Sequence, residues 1–178
     1  MSQLSSQENE RNMFVEWIKA ALIALILAFL LRGFVFATSI VKGESMMPTL
    51  EDGERVIFNK FIYLVSEPAR GDIVIIAKPE SNYVKRIIGL PNETIEMKDD
   101  VLYVDGVSQS STFVGEQQAK FTGDFGPIVL PNNSYFVMGD NRANSKDSRN
   151  DLGYIEREYI IGRSELIIYP FRELQLTR

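Results

Sequence analysis

DIVIIAKPESNYVKRIIGLP, residues 72–91, contains two Ile/Val-rich runs, Asp72–Lys78 and Asn82–Leu90, interrupted by a proline and small polar residues. Each is too short for a typical helix, is rich in β-branched side chains and is bounded by turn formers, so both read as strands. The same grammar extends outward through ERVIFNKFIYL, TIEMK, VLYV, SYFVM and ELIIYPF, with Gly, Pro, Asn and Asp between the runs. Lys98-Asp99-Asp100-Val101 reads as a tight hairpin turn, and Gln109 to Gly126 as an elaborated polar loop. The fold class predicted is mostly β, with one all-β domain over 38–178 and no internal repeat.

The first residues differ. Segment 1–16 is polar, has no apolar period to bury and is expected to be mobile. Residues 17–37, WIKAALIALILAFLLRGFVFA, change abruptly in composition. The uncharged run Ala20–Leu31 covers only about 18 Å as a helix, whereas 17–37 as a unit covers roughly 31 Å, a bilayer core, if Lys19 and Arg32 snorkel to the headgroups. Three roles compete: a membrane anchor, a cleaved secretory signal ending at Val35-Phe36-Ala37, and a buried soluble helix. Arg32 counts against the signal, and the apolar circumference of Ala20–Leu31 against the soluble helix. The expectation is a transmembrane anchor, although flanking basic residues on both sides leave its orientation nearly balanced.

Composition narrows the chemistry. The 178 residues carry a formal charge of −5, which gives no basic field for a nucleic acid partner. There is no cysteine and no histidine, so a disulfide, a thiolate nucleophile, a Ser-His-Asp triad and a histidine metal helix are all excluded. The bases that remain are carboxylates, a lysine or the terminal amine.

Three segments hold polar residues that a plain β domain does not require. In Gly43-Glu44-Ser45-Met46-Met47-Pro48-Thr49-Leu50, a serine sits on a stiffened turn that could equally be an ordinary turn. In Tyr83 to Pro91, strand alternation puts Lys85 on a face with Tyr83 and Ile87. A lysine buried there would lose hydration and become a neutral base, whereas a solvent-facing one would do nothing. Gly139 to Arg149 is either a self-satisfied polar loop or a platform whose hydroxyl, from Ser145 or Ser148, orients a neighbouring lysine. It is not an EF-hand loop, because Arg142 and Arg149 fall where that pattern needs an oxygen ligand.

Together the three segments, in this order behind an N-terminal anchor, resemble type I signal peptidases of the compact Gram-positive form. The match runs through S-M-x-P-T-L at Ser45–Leu50, Y-V-K-R-I-I-G-L-P at Tyr83–Pro91 and G-D-N-R-x-x-S-x-D-S-R at Gly139–Arg149. The resemblance implies a Ser-Lys dyad, which accounts for the missing histidine: Ser45 as nucleophile, Lys85 as general base and Ser145 as the hydroxyl orienting that lysine. It makes Asp140, Arg142, Asp147 and Arg149 structural supports, and Met46, Leu50, Tyr83 and Val84 the walls of shallow apolar substrate pockets. It implies signal-peptide-bearing preproteins and the lipid bilayer as partners, no cofactor or metal, and a single-pass protein in the cell membrane with a cytoplasmic N-terminus and an extracytoplasmic catalytic domain. Some relatives carry a serine two residues before the nucleophile that serves the oxyanion; here that position is Gly43. A self-cleaving repressor would need a DNA-binding domain for which the N-terminal residues leave no room, and intact Ser45, Lys85 and Ser145 argue against a non-catalytic tethered β module.

Overall fold

The computed structural model describes residues 2–109, 113–115, 119–171 and 174–177. The chain divides into two units, Met1–Phe36 and Ala37–Arg178. The first is a single helix, α1 (Ser2–Val35). The polar segment expected to be mobile is therefore helical from Ser2. The last residues assigned to the anchor are not helical, because β1 (Phe36–Ile40) begins there. Along α1 the described apolar side chains, among them Trp17, Leu22, Leu25 and Phe29, are exposed. No helix among the described residues is long and apolar enough to cross a membrane.

The second unit is built from two sheets. The larger runs β1, β2 (Arg55–Asn59), β11 (Ile160–Tyr169), β3 (Ile73–Ala77), β4 (Asn82–Gly89), β9 (Ser134–Met138) and β10 (Ile155–Glu156), with β12 (Gln175–Leu176) paired to β11. The smaller runs β7 (Val107–Ser108), β6 (Val101–Val104), β5 (Thr94–Lys98) and β8 (Phe125–Val129). ERVIFNKFIYL is not one strand: it ends at Asn59, whose Oδ1 accepts the N–H groups of Phe61 and Ile62, and a single helical turn, α2 (Ile62–Val65), follows. The β5–β6 hairpin closes as expected, with Lys98 opposite Val101 and both Asp99 and Asp100 at positive φ, a conformation that aspartate tolerates. Gln109 to Gly126 is not all loop, since β8 begins at Phe125; residues 110–112 and 116–118 of that stretch lie outside the described residues.

Continuous apolar runs arise where a sheet is covered on both faces. Val74, Ile76, Ile87, Tyr135 and Val137 join one buried cluster with Tyr63 and Ile160. Their immediate neighbours Ile88, Phe136 and Met138 point the other way, against Ile95, Met97 and Leu102 of the smaller sheet. A third cluster joins Ile73, Val56 and Ile167 to Val41, Met46 and Leu50, and so docks the Ser45 turn onto the large sheet. Each such aliphatic side chain contributes about 1.5–3 kcal/mol on burial.

Candidate active site

Ser45 sits on a turn fixed from both ends. Gly43 has φ +82°, a region costly for a side chain, and its N–H donates to Asp52 Oδ1 at 2.6 Å. After Ser45 the N–H groups of Thr49 and Leu50 fold back onto the Met46 carbonyl at 2.9 and 3.0 Å. Met46 and Leu50 are fully buried, so the turn is held by packing and Ser45 is left half-buried at its apex.

Lys85 comes from the middle of β4, opposite Val74 of β3. It is only 3% exposed, and its Nζ donates to Ser45 Oγ at 2.6 Å. Burial pushes its ammonium down from the ordinary lysine value to about 8, against the pull of the Asp147 and Asp140 carboxylates.

The third segment clamps the other two. Asp140, wholly buried, accepts Arg86 Nε at 2.8 Å and Nη2 at 2.6 Å. Thr49 Oγ1 also donates to Asp140, to Oδ2 at 2.5 Å. Asn141 donates its N–H to the Ser45 carbonyl at 3.0 Å and its Nδ2 to the Glu44 carbonyl at 3.1 Å. Asp147 is gripped by Arg149 through Nε at 3.0 Å and Nη2 at 2.9 Å, and by the Gly139 N–H at 3.0 Å. Burial raises the Asp147 carboxyl, but these donors outweigh it and hold the group below the usual carboxylate range. Arg142 is buried beside them, donates Nη1 to Thr122 Oγ1 at 3.0 Å, and is lowered by desolvation to about 10.

Ser145 lies at this junction but without the bond expected of it. No hydrogen bond joins it to Lys85; its Oγ is buried and meets no partner in hydrogen-bond geometry among the described residues, although it lies near enough to Asp147 to help keep that acid ionised. Of the alternatives, Ser148 is engaged elsewhere, accepting from the Val137 N–H at 2.9 Å and donating to the Gly153 carbonyl at 2.8 Å.

A groove of about 840 Å³ opens beside Ser45 and Lys85, between residues 38–42 and residues 80–84. Half-buried Tyr83 and Val84 line it, and Met46 reaches its floor with only 1% of its surface exposed. Leu50 does not: at 0% exposure it packs in the third cluster and offers no surface to a substrate. Residue reading missed Thr49, Arg86, Gly139 and Asn141. All four stand inside the quoted motifs, yet nothing in one-dimensional spacing says that Thr49 and Arg86 share a carboxylate. Gly139 is demanded by crowding, because a Cβ there would lie 2.3 Å from both the Ser45 carbonyl oxygen and Ser145 Oγ.

The family model for signal peptidase, peptidase S26, matches residues 14–169. Signal peptidase I of Bacillus licheniformis is 48% identical, covering 95% of this chain and 96% of its own length. Signal peptidase I T of Bacillus subtilis is 46% identical, covering 96% and 93%. A crystal structure of a signal peptidase I from Enterococcus faecalis is 34% identical, covers 56% of this chain and 97% of that one, and overlays with a TM-score of 0.47. A family match over most of the chain, and relatives nearly half identical along almost its whole length, lead to one conclusion: this chain belongs to the signal peptidase family, peptidase S26.

Proposed function

We propose that this protein is a membrane-anchored serine endopeptidase that removes N-terminal signal peptides from exported preproteins through an acyl-enzyme, with Ser45 as nucleophile and Lys85 as general base. The observation that carries the reading is the 2.6 Å contact between Lys85 Nζ and Ser45 Oγ, made by a lysine that burial has brought down to about 8. A neutral Lys85 accepts the Ser45 proton as Oγ attacks the scissile carbonyl carbon. The Ser45 backbone N–H is the donor this reading assigns to the oxyanion. The tetrahedral intermediate then collapses, the carbon–nitrogen bond breaks, and the Lys85 ammonium gives its proton to the departing amine. In the second half, neutral Lys85 takes a proton from water as the water oxygen attacks the acyl carbon; the carbon–Oγ bond then breaks, the Lys85 ammonium returns the proton to Ser45 Oγ, and the signal peptide leaves as a carboxylic acid.

Sheet edges supply the substrate track. β1 ends the large sheet, and β4 pairs with β9 only from Arg86 onward, so the Asn82–Lys85 half of β4 faces the groove beyond that pairing. An extended peptide laid there adds main-chain bonds, with small residues such as alanine at the first and third positions before the cut against Tyr83 and Val84, over a floor to which Met46 contributes. Ser145 is assigned a positioning role, with Asp140, Arg142, Asp147 and Arg149 stiffening the platform.

Domains follow as a cytoplasmic segment 1–16, an anchor from Trp17 to the end of α1 at Val35, and an extracytoplasmic catalytic domain that begins with β1 at Phe36. Exposed Trp17 and Phe29 on α1 support a lipid-facing segment. Incubation with a purified preprotein tests the enzyme: the wild type is expected to cut it and Ser45→Ala to leave it intact. Release of the full chain from membranes by alkaline carbonate would refute the anchor.

A further inference from the structure

Ser45 and Lys85 lie on separate elements, 40 positions apart in sequence, and an ångström of misplacement between reacting groups is enough to cost much of a rate. What couples their elements is the Asp140 carboxylate. On one side it takes two bonds from Arg86, the residue after Lys85 on β4; on the other it takes the Thr49 hydroxyl at 2.5 Å from the turn that carries Ser45. The turn itself does not need that hydroxyl, since the Thr49 N–H already closes onto the Met46 carbonyl. Hydroxyl-to-carboxylate bonds of this length are among the strong ones, and a wholly buried carboxylate is costly to leave short of a donor.

We propose that Thr49 is a positioning residue for the Ser45–Lys85 pair, its hydroxyl locking the nucleophile turn, through Asp140, onto the arginine that neighbours the lysine. The inference rests on the dyad reading above. It also has an electrostatic consequence. Lys85 faces the Asp140 and Asp147 carboxylates, whose charges favour its ammonium form, with Arg86, Arg142 and Arg149 around those acids and Lys146 lining the same groove. Taking a donor from Asp140 leaves its charge less compensated, so Lys85 would hold its proton to higher pH.

The experiment uses the full chain and a fluorogenic peptide with an Ala-x-Ala cleavage segment. Thr49→Val keeps the shape and removes the hydroxyl; Thr49→Ser keeps the hydroxyl. Thr49→Val is expected to lose about tenfold or more in kcat with KM changed by no more than about twofold, and to move the acid limb of kcat/KM to higher pH. Thr49→Ser is expected to recover most of the rate and the wild-type limb. If Thr49→Val does not fold, Thr49→Ala is read by the same pH limb. A Thr49→Val enzyme with wild-type rate and limb, or a Thr49→Ser enzyme as impaired as Thr49→Val, would overturn the proposal. Ser45→Ala separates the two failures: activity there defeats the dyad itself, whereas an inactive Ser45→Ala beside a fully active Thr49→Val defeats only the role of Thr49.

Discussion

Lys85 Nζ stands 2.6 Å from Ser45 Oγ in a position where the lysine is almost wholly shielded from water. The closeness and the shielding act together: one brings a base within reach of a hydroxyl, the other makes that base available near neutral pH.

Activity should therefore rise through the Lys85 pKa, with the acid limb of kcat/KM centred near 8 and not at the 10.5 of an exposed lysine. Stability runs the opposite way. The folded pKa lies below the unfolded one, so the unfolded chain takes up the proton first as pH falls; stability is lost between 10.5 and about 8 and is level below that. The loss is on the order of 3 kcal/mol. Lys85→Met should be inactive yet at least as stable as wild type at neutral pH, as read by denaturant melts. A clearly destabilised Lys85→Met protein would mean that the lysine is a charged structural partner.

Ser145→Ala removes a buried hydroxyl that has no partner in hydrogen-bond geometry among the described residues but helps keep Asp147 ionised, so melts should show a loss of no more than about 1 kcal/mol. Its rate should fall by less than that of Ser45→Ala. An unchanged rate would confine Ser145 to packing.

Gly139→Ala should cripple the enzyme from a position that touches no substrate. The new methyl would meet the Ser45 carbonyl oxygen, which is backbone and is already held by the Asn141 N–H. Overpacking of this kind costs about 1–3 kcal/mol. Thermal melts and kcat should drop together, and a wild-type rate would show that the turn has slack.

Asp147→Asn keeps the shape and removes a charge that favours the Lys85 ammonium, so the acid limb should move to lower pH. Arg149 would lose its charged partner at the same time, with a stability loss of about 3 kcal/mol. A limb that moved upward would contradict the electrostatic account of Lys85.

Local pattern and residue chemistry were readable from the chain alone. TIEMK, VLYV and SYFVM are strands at the bounds expected, because the first two alternate buried with half-exposed residues and the third is a short apolar run buried throughout, and both patterns can be read locally. The absence of histidine and cysteine left few bases, and three motifs in order named Ser45 and Lys85. Tertiary packing decided what lay between segments. Leu50 looked like pocket wall and is core, because a residue one helical turn past the apex of a docked loop faces inward. Phe36 and Ala37, read as the end of an anchor, are strand because pairing beside β2 outweighs a local preference that either structure could meet. Ser145 sits at the expected junction without the expected bond, and Thr49 and Arg86 meet on one carboxylate that no spacing announces. Periodicity reports which way a side chain points from its own backbone; which partner it meets depends on how distant elements are brought together, and that is a property of the folded chain alone.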